Sequence, residues 1–146
     1  MKKTIVIGSD HGGFTLKQAL IKALTDWGHT VEDQGPDCTD SCDYPLFAAR
    51  VVKRIKADDD ALGVLICGTG QGMTMTANRL GVRAALCTNE FLARMAREHN
   101  DARILCLGER VTGQGLALAI LKTFLETGFG GERHQRRIDL MDTVSE

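Results

Sequence analysis

The sequence predicts an α/β protein built on one open parallel sheet of five strands, with helices on both faces. Three observations predict it. Five short β-rich apolar runs, most without polar alternation, read as strands covered on both sides. Amphipathic stretches with a period near 3.6 separate them, and such alternation folds as right-handed βαβ units. The chain has 146 residues, 43% apolar and 25% charged, which fits a single domain over residues 1–146.

The elements follow in order. Residues 4–8, Thr4-Ile5-Val6-Ile7-Gly8, form the first strand. Phe14, Leu16, Leu20, Ile21 and Leu24 then recur on one helical face, and Gly28 stops that helix. The second strand covers 30–34. Asp43 is placed to cap the next helix, with Pro45 in its first turn and Phe47, Val51, Val52 and Ile55 inward. Asp58-Asp59-Asp60 reads as a solvated turn. Strands are expected at 62–67, 82–87 and 104–107. Helices are expected at 73–80, 90–98, 115–126 and 132–143.

Composition removes several classes of function. A net charge of -1 gives no reason to expect a nucleic acid or an anionic membrane as partner. No run reaches the roughly 18 apolar residues of a membrane helix. The apolar stretch after Lys2-Lys3 is too short for a signal peptide, so a cytoplasmic protein is expected. Five cysteines, an odd number, imply no disulfide framework. Cys38 and Cys42 stand four apart in a polar loop without a second ligand pair, so no metal is expected.

In sheets of this kind, ligands bind outside the carboxyl ends of the strands, near a switch in strand order. The first strand ends there in Ser9-Asp10-His11-Gly12-Gly13. A helix cap explains Asp10 but not His11. The third strand ends in Cys67-Gly68-Thr69-Gly70-Gln71-Gly72. Alternating glycines at the start of a helix let backbone N–H groups approach an anion. The spacing is neither a dinucleotide fingerprint nor a phosphate-binding loop with a Gly-Lys-Ser/Thr end. Cys67 on its own reads first as the last buried residue of its strand, and otherwise as a thiol facing a helix N-terminus, where thiolate is favoured. Cys87 and Cys106, flanked by apolar residues, read as core. His99, near a helix C-terminus, complements the dipole or serves chemistry. Arg133 and Arg137 share one helical face, either solvated or built for phosphate.

These blocks together resemble the type B ribose-5-phosphate isomerases, within a sugar-phosphate isomerase family that also takes galactose 6-phosphate and allose 6-phosphate. The resemblance rests on Gly8-Ser9-Asp10-His11-Gly12-Gly13, Asp43-Tyr44-Pro45, Ile66-Cys67-Gly68-Thr69-Gly70, Ala77-Asn78, Gly81-Val82-Arg83-Ala84, Arg97-Glu98-His99-Asn100-Asp101, Leu107-Gly108-Glu109-Arg110 and the segment from Gly131 to Arg137. It implies a Rossmann-like three-layer α/β/α sandwich and an aldose–ketose isomerase that needs no metal and no cofactor. By resemblance, Cys67 is the base that moves a proton between C1 and C2 through an enediolate. His99 is the acid that opens the sugar ring. Asp10 and His11 contact substrate. Gly68, Thr69, Gly70, Gln71 and Gly72 cradle the oxyanion, with Thr69 relaying protons. Asn100, Arg110, Arg133 and Arg137 complete the site and hold the phosphate. Some relatives carry a glutamate where this chain has Met73 and lack the cysteine, so this sequence resembles the cysteine branch. The resemblance further implies a homodimer or homotetramer with each site shared across an interface. Two other readings stay open: the same chemistry on a hexose 6-phosphate, and a non-catalytic sugar-phosphate-binding subunit.

Overall fold

Strands β1 (Thr4–Ser9), β2 (Thr30–Asp33), β3 (Leu62–Cys67), β4 (Ala84–Leu86) and β5 (Ile104–Gly108) form one parallel sheet, ordered β2-β1-β3-β5-β4, in a computed structural model that describes residues 1–144. The strand count and the parallel sense are those expected. The order reverses between β1 and β3, which is the switch point the crevice rule requires. Central strands β3 and β5 are buried along their whole length. The two edges differ from expectation. β2 is only half covered, and the run 82–87 narrows to three strand residues. Val82 and Arg83 lie instead in the turn that brings the chain to the sheet edge, where the Arg83 carbonyl accepts the Arg103 N–H at 2.9 Å.

Side chains alternate across each strand, so one sheet feeds two cores. Ile5, Ile7, Val64, Ile66, Leu105 and Leu107 pack under α1 (Phe14–Asp26), α4 (Glu90–Asn100) and α5 (Gln114–Glu126). Val6, Leu65, Cys67 and Cys106 pack under α2 (Tyr44–Lys56) and α3 (Gln71–Arg79). The result is the expected α/β/α sandwich. A last helix, α6 (Arg133–Thr143), packs outside the layers against α4 through buried Ile138. An Arg83–Asp142 ion pair at 3.1 Å pins its far end.

Three helix ends depart from the sequence reading. Asp43 occupies the N-cap of α2, with Pro45 in the first turn, but its side chain makes no capping bond. α3 begins at Gln71, two residues early, because Gly70 adopts φ 81° and turns the chain sharply. α4 runs on through His99 and Asn100 and closes at Asp101, a non-glycine residue in the left-handed region (φ 44°, ψ 46°).

One polar contact shapes the ligand pole. Lys17 of α1 is fully buried, with Nζ 2.8 Å from Asp33 Oδ1 and 2.6 Å from the Pro36 carbonyl. A buried ammonium needs such partners. The contact ties α1 to the long loop after β2, which returns to the carboxyl ends of the strands as Cys42 and Tyr44.

Candidate active site

At the switch point, the loops after β1 and β3 touch. The Asp10 N–H donates to the Ile66 carbonyl at 3.2 Å. A β-carbon on Gly12 would sit 3.4 Å from the Gly68 nitrogen. Asp10 is nearly buried, and its Oδ1 accepts the Gly13 N–H at 3.1 Å, so the capping role read from sequence is real. His11 Nδ1 accepts the Cys42 N–H at 3.2 Å. A backbone N–H only donates, so the neutral imidazole carries its proton on Nε2. His11 therefore offers a ligand a donor, not an acceptor.

Cys67 closes β3 with 6% of its surface exposed. Its Sγ accepts the Gly70 N–H at 3.1 Å, the kind of contact that supports negative charge on sulfur. Gly70 is required there twice over. Its φ is positive, and a β-carbon would lie 2.6 Å from Leu86 Cδ1 and 2.9 Å from the Leu107 backbone. Gly108 lets the same loop cross β5, since a β-carbon there would lie 2.5 Å from the Thr69 backbone. Thr69 Oγ1 accepts the Gln71 N–H at 3.3 Å, which leaves its own proton free to donate. Among the described residues, the Gly68 and Thr69 N–H groups have no hydrogen-bond partner. They are the open donors of the cradle. Arg110 lies over Gly68, within 3.3 Å of where a β-carbon would stand. Its N–H donates to the Gly68 carbonyl at 3.0 Å.

The remaining expected residues lie elsewhere. In a βαβ unit each helix starts at the carboxyl ends of the strands and runs back toward their amino ends. His99 and Asn100 close α4, so they stand at the opposite pole from Cys67. The contacts agree: the Asn100 carbonyl accepts the Arg83 Nε–H at 3.0 Å, and Arg83 precedes β4. The four steps of β5 alone span about 13 Å between the poles. α6 starts beside this end of α4. The Gly130 N–H donates to the Glu98 carbonyl at 2.9 Å, and the His134 and His99 rings stack. Arg133 and Arg137 are exposed on α6. A single chain thus holds two groups, one with Asp10, His11, Cys67, the cradle and Arg110, the other with His99, Asn100, Arg133 and Arg137.

Sequence reasoning passed over four residues. The Tyr44 ring leans on the cradle, 2.5 Å from where a Gly72 β-carbon would stand. The Cys42 backbone fixes the His11 tautomer. Glu109 Oε1 accepts the Leu16 N–H at 2.6 Å, joining the Arg110 loop to the first turn of α1. His134 covers His99. Tyr44, Glu109 and His134 stand in the matched blocks without a role of their own, and Cys42 is weighed only as a metal ligand. Met73 is fully buried in the Cys67 core cluster. Among the described residues, no group of three or more His, Cys, Asp or Glu side chains is placed to hold a metal. No described helix is long and apolar enough to cross a membrane. A cavity of about 620 Å³ opens at the far pole, lined in part by Lys3, Trp27, His29 and Lys122, away from Cys67.

A thiol, a buried carboxylate and open backbone N–H donors meet at the switch point of a parallel sheet, where α/β enzymes carry their sites. A sequence model described as Ribose/Galactose Isomerase matches residues 5–141, and the chain belongs to that isomerase family. Ribose-5-phosphate isomerase B of Escherichia coli is 36% identical over 145 residues, covering 99% of this chain and 97% of that protein. The crystal structure of a Thermotoga maritima ribose 5-phosphate isomerase superposes with a TM-score of 0.94 at 47% identity, covering 97% and 99% of the two chains. That of Mycoplasma genitalium ribose-5-phosphate isomerase B, with bound ribulose 5-phosphate, gives 0.91 at 43% identity over 95% and 93%.

Proposed function

We propose that this enzyme interconverts ribose 5-phosphate and ribulose 5-phosphate, in a site made jointly by two copies of the chain. The observation that carries the reading is Cys67 at the switch point, its sulfur on the Gly70 N–H and beside the open Gly68 and Thr69 donors. Family membership and the activities for which relatives at 36% to 47% identity are named favour the pentose. Two-fold pairing in which the Cys67 pole of each chain meets the His99 pole of its partner would complete two identical sites.

In this mechanism His99 of one copy protonates the ring oxygen while the C1 hydroxyl loses its proton, which opens the furanose. Cys67 thiolate of the other copy then takes the C2 proton. The C1 carbonyl becomes an enediolate oxygen, held by the cradle N–H groups as charge develops. Thr69 relays a proton between O2 and O1, and Cys67 returns its proton to C1. His11 donates through Nε2 and Asp10 accepts a sugar hydroxyl. Arg110, Arg133 and Arg137 hold the phosphate, with Asn100 beside them. The base is sulfur because the cradle holds no carboxylate and Met73 is buried. The proposed setting is the cytoplasm, where a thiol stays reduced.

A coupled assay on ribose 5-phosphate, allose 6-phosphate and galactose 6-phosphate tests the substrate. The pentose is expected to give the highest kcat/KM. An efficiency about tenfold higher on either hexose phosphate overturns the choice of sugar. Binding of all three without turnover overturns catalysis. Arg137→Ala is expected to raise KM roughly tenfold or more with kcat nearly unchanged, because a bidentate phosphate contact binds ground and transition states alike. Steady-state kinetics checks it; a fall in turnover alone would remove Arg137 from the phosphate site.

A further inference from the structure

The stack beneath His99 is a feature that the proposed reaction leaves unused. The His99 and His134 rings lie 4.2 Å apart between centroids and only 15° from parallel. His134 is held from behind: a β-carbon on Gly130 would lie 3.4 Å from its ring, and its N–H donates to the Gly131 carbonyl at 3.0 Å. Ile138, one turn on, is the buried anchor of α6. The position of His134 is therefore set by α6 and its hinge, independently of His99.

A second observation points to the same place. Among the described residues, only Asp101 and Glu132 are non-glycines with positive φ, at 44° and 51°. Asp101 follows His99 by two residues, and Glu132 precedes His134 by two. Backbone strain of this kind persists where surrounding structure fixes it, and it gathers at functional sites. Here it turns α4 and α6 so that two imidazoles meet face to face.

We infer that His134 is a positioning residue, whose ring fixes the plane of the His99 imidazole so that its N–H points along one line into the shared site. The inference rests on the proposed role of His99 as the ring-opening acid. An exposed imidazole on a helix end otherwise rotates about two side-chain torsions. Stacking removes that freedom before substrate arrives, and a proton donor a fraction of an ångström off line transfers poorly. The charged groups around the pair are Glu98, with Oε1 3.9 Å from His99 Nε2, and Arg133 and Arg137 on α6. Burial first, then the His99, Arg133 and Arg137 charges, hold His134 below the usual histidine range, with Glu98 opposing.

The test compares His134→Ala and His134→Phe with wild type, each checked by circular dichroism for an unchanged fold. His134→Ala is expected to lower kcat roughly tenfold with KM within about twofold. His134→Phe keeps a flat ring and is expected to recover most of that loss. In parallel, the His99 ring proton resonances are expected upfield in wild type and His134→Phe, and near random-coil positions in His134→Ala. Wild-type kinetics for His134→Ala, or no recovery in His134→Phe, overturns the inference. His99→Ala separates the two levels. If it abolishes turnover while His134→Ala keeps wild-type kinetics, the positioning role falls and the acid stands. If His99→Ala turns over normally, the acid assignment falls and the positioning role falls with it.

Discussion

Cys67→Ser is expected to lower turnover at least about a hundredfold while the protein stays folded. The serine hydroxyl has nearly the shape of the thiol and can still accept the Gly70 N–H, so the loop has no reason to move. What is lost is the sulfur, since a thiol gives up its proton far more readily than a hydroxyl. The other buried thiols cannot replace it. Burial pushes Cys87 and Cys106 up to about 12, so both remain protonated across the working range. Turnover, thermal melting and exchange of the substrate C2 proton with deuterated solvent measure the three parts separately. A rate equal to wild type removes Cys67 as the base. Lost turnover with retained C2 exchange moves it to a later step.

Mixing two inactive variants is expected to restore activity. Cys67→Ser damages one pole of the chain and His99→Ala the other. If each site takes one pole from each of two copies, a mixed dimer has one site carrying both changes and one carrying neither. Random reassociation makes half the dimers mixed, so about a quarter of wild-type sites return. Co-refolding the two purified variants in equal amounts, with each refolded alone as control, gives the comparison. Activity that stays at the sum of the two controls places Cys67 and His99 in one chain's site and overturns the shared site. The expectation comes from helix polarity: α4 begins where Cys67 lies and ends, with His99, at the far end of the sheet.

Several features were legible in the chain itself. Unbroken apolar runs at β1, β3 and β5 could only be strands covered on both faces, and they are the three central strands. The cradle was legible because its glycines alternate beside a cysteine at a strand end. The short edge strands were harder to read. Their apolar residues serve the turn as much as the sheet, and the run 82–87 overstated β4 for that reason.

By itself, the sequence determined the α/β class, the place of Cys67 and the loop 68–72 at a strand's carboxyl end, and the isomerase family. Each of these depends on local order: the period of apolar residues, a glycine pattern, ordered blocks of side chains. Tertiary structure alone decided that the Asp10 and Cys67 loops touch, that Cys42 sets the His11 tautomer, and that His99 stacks on His134. It also decided that His99, Asn100, Arg133 and Arg137 stand apart from Cys67. Those facts depend on which strands become neighbours and on which pole each helix ends. Such contacts join residues 31 to 56 positions apart, a separation that no local pattern encodes.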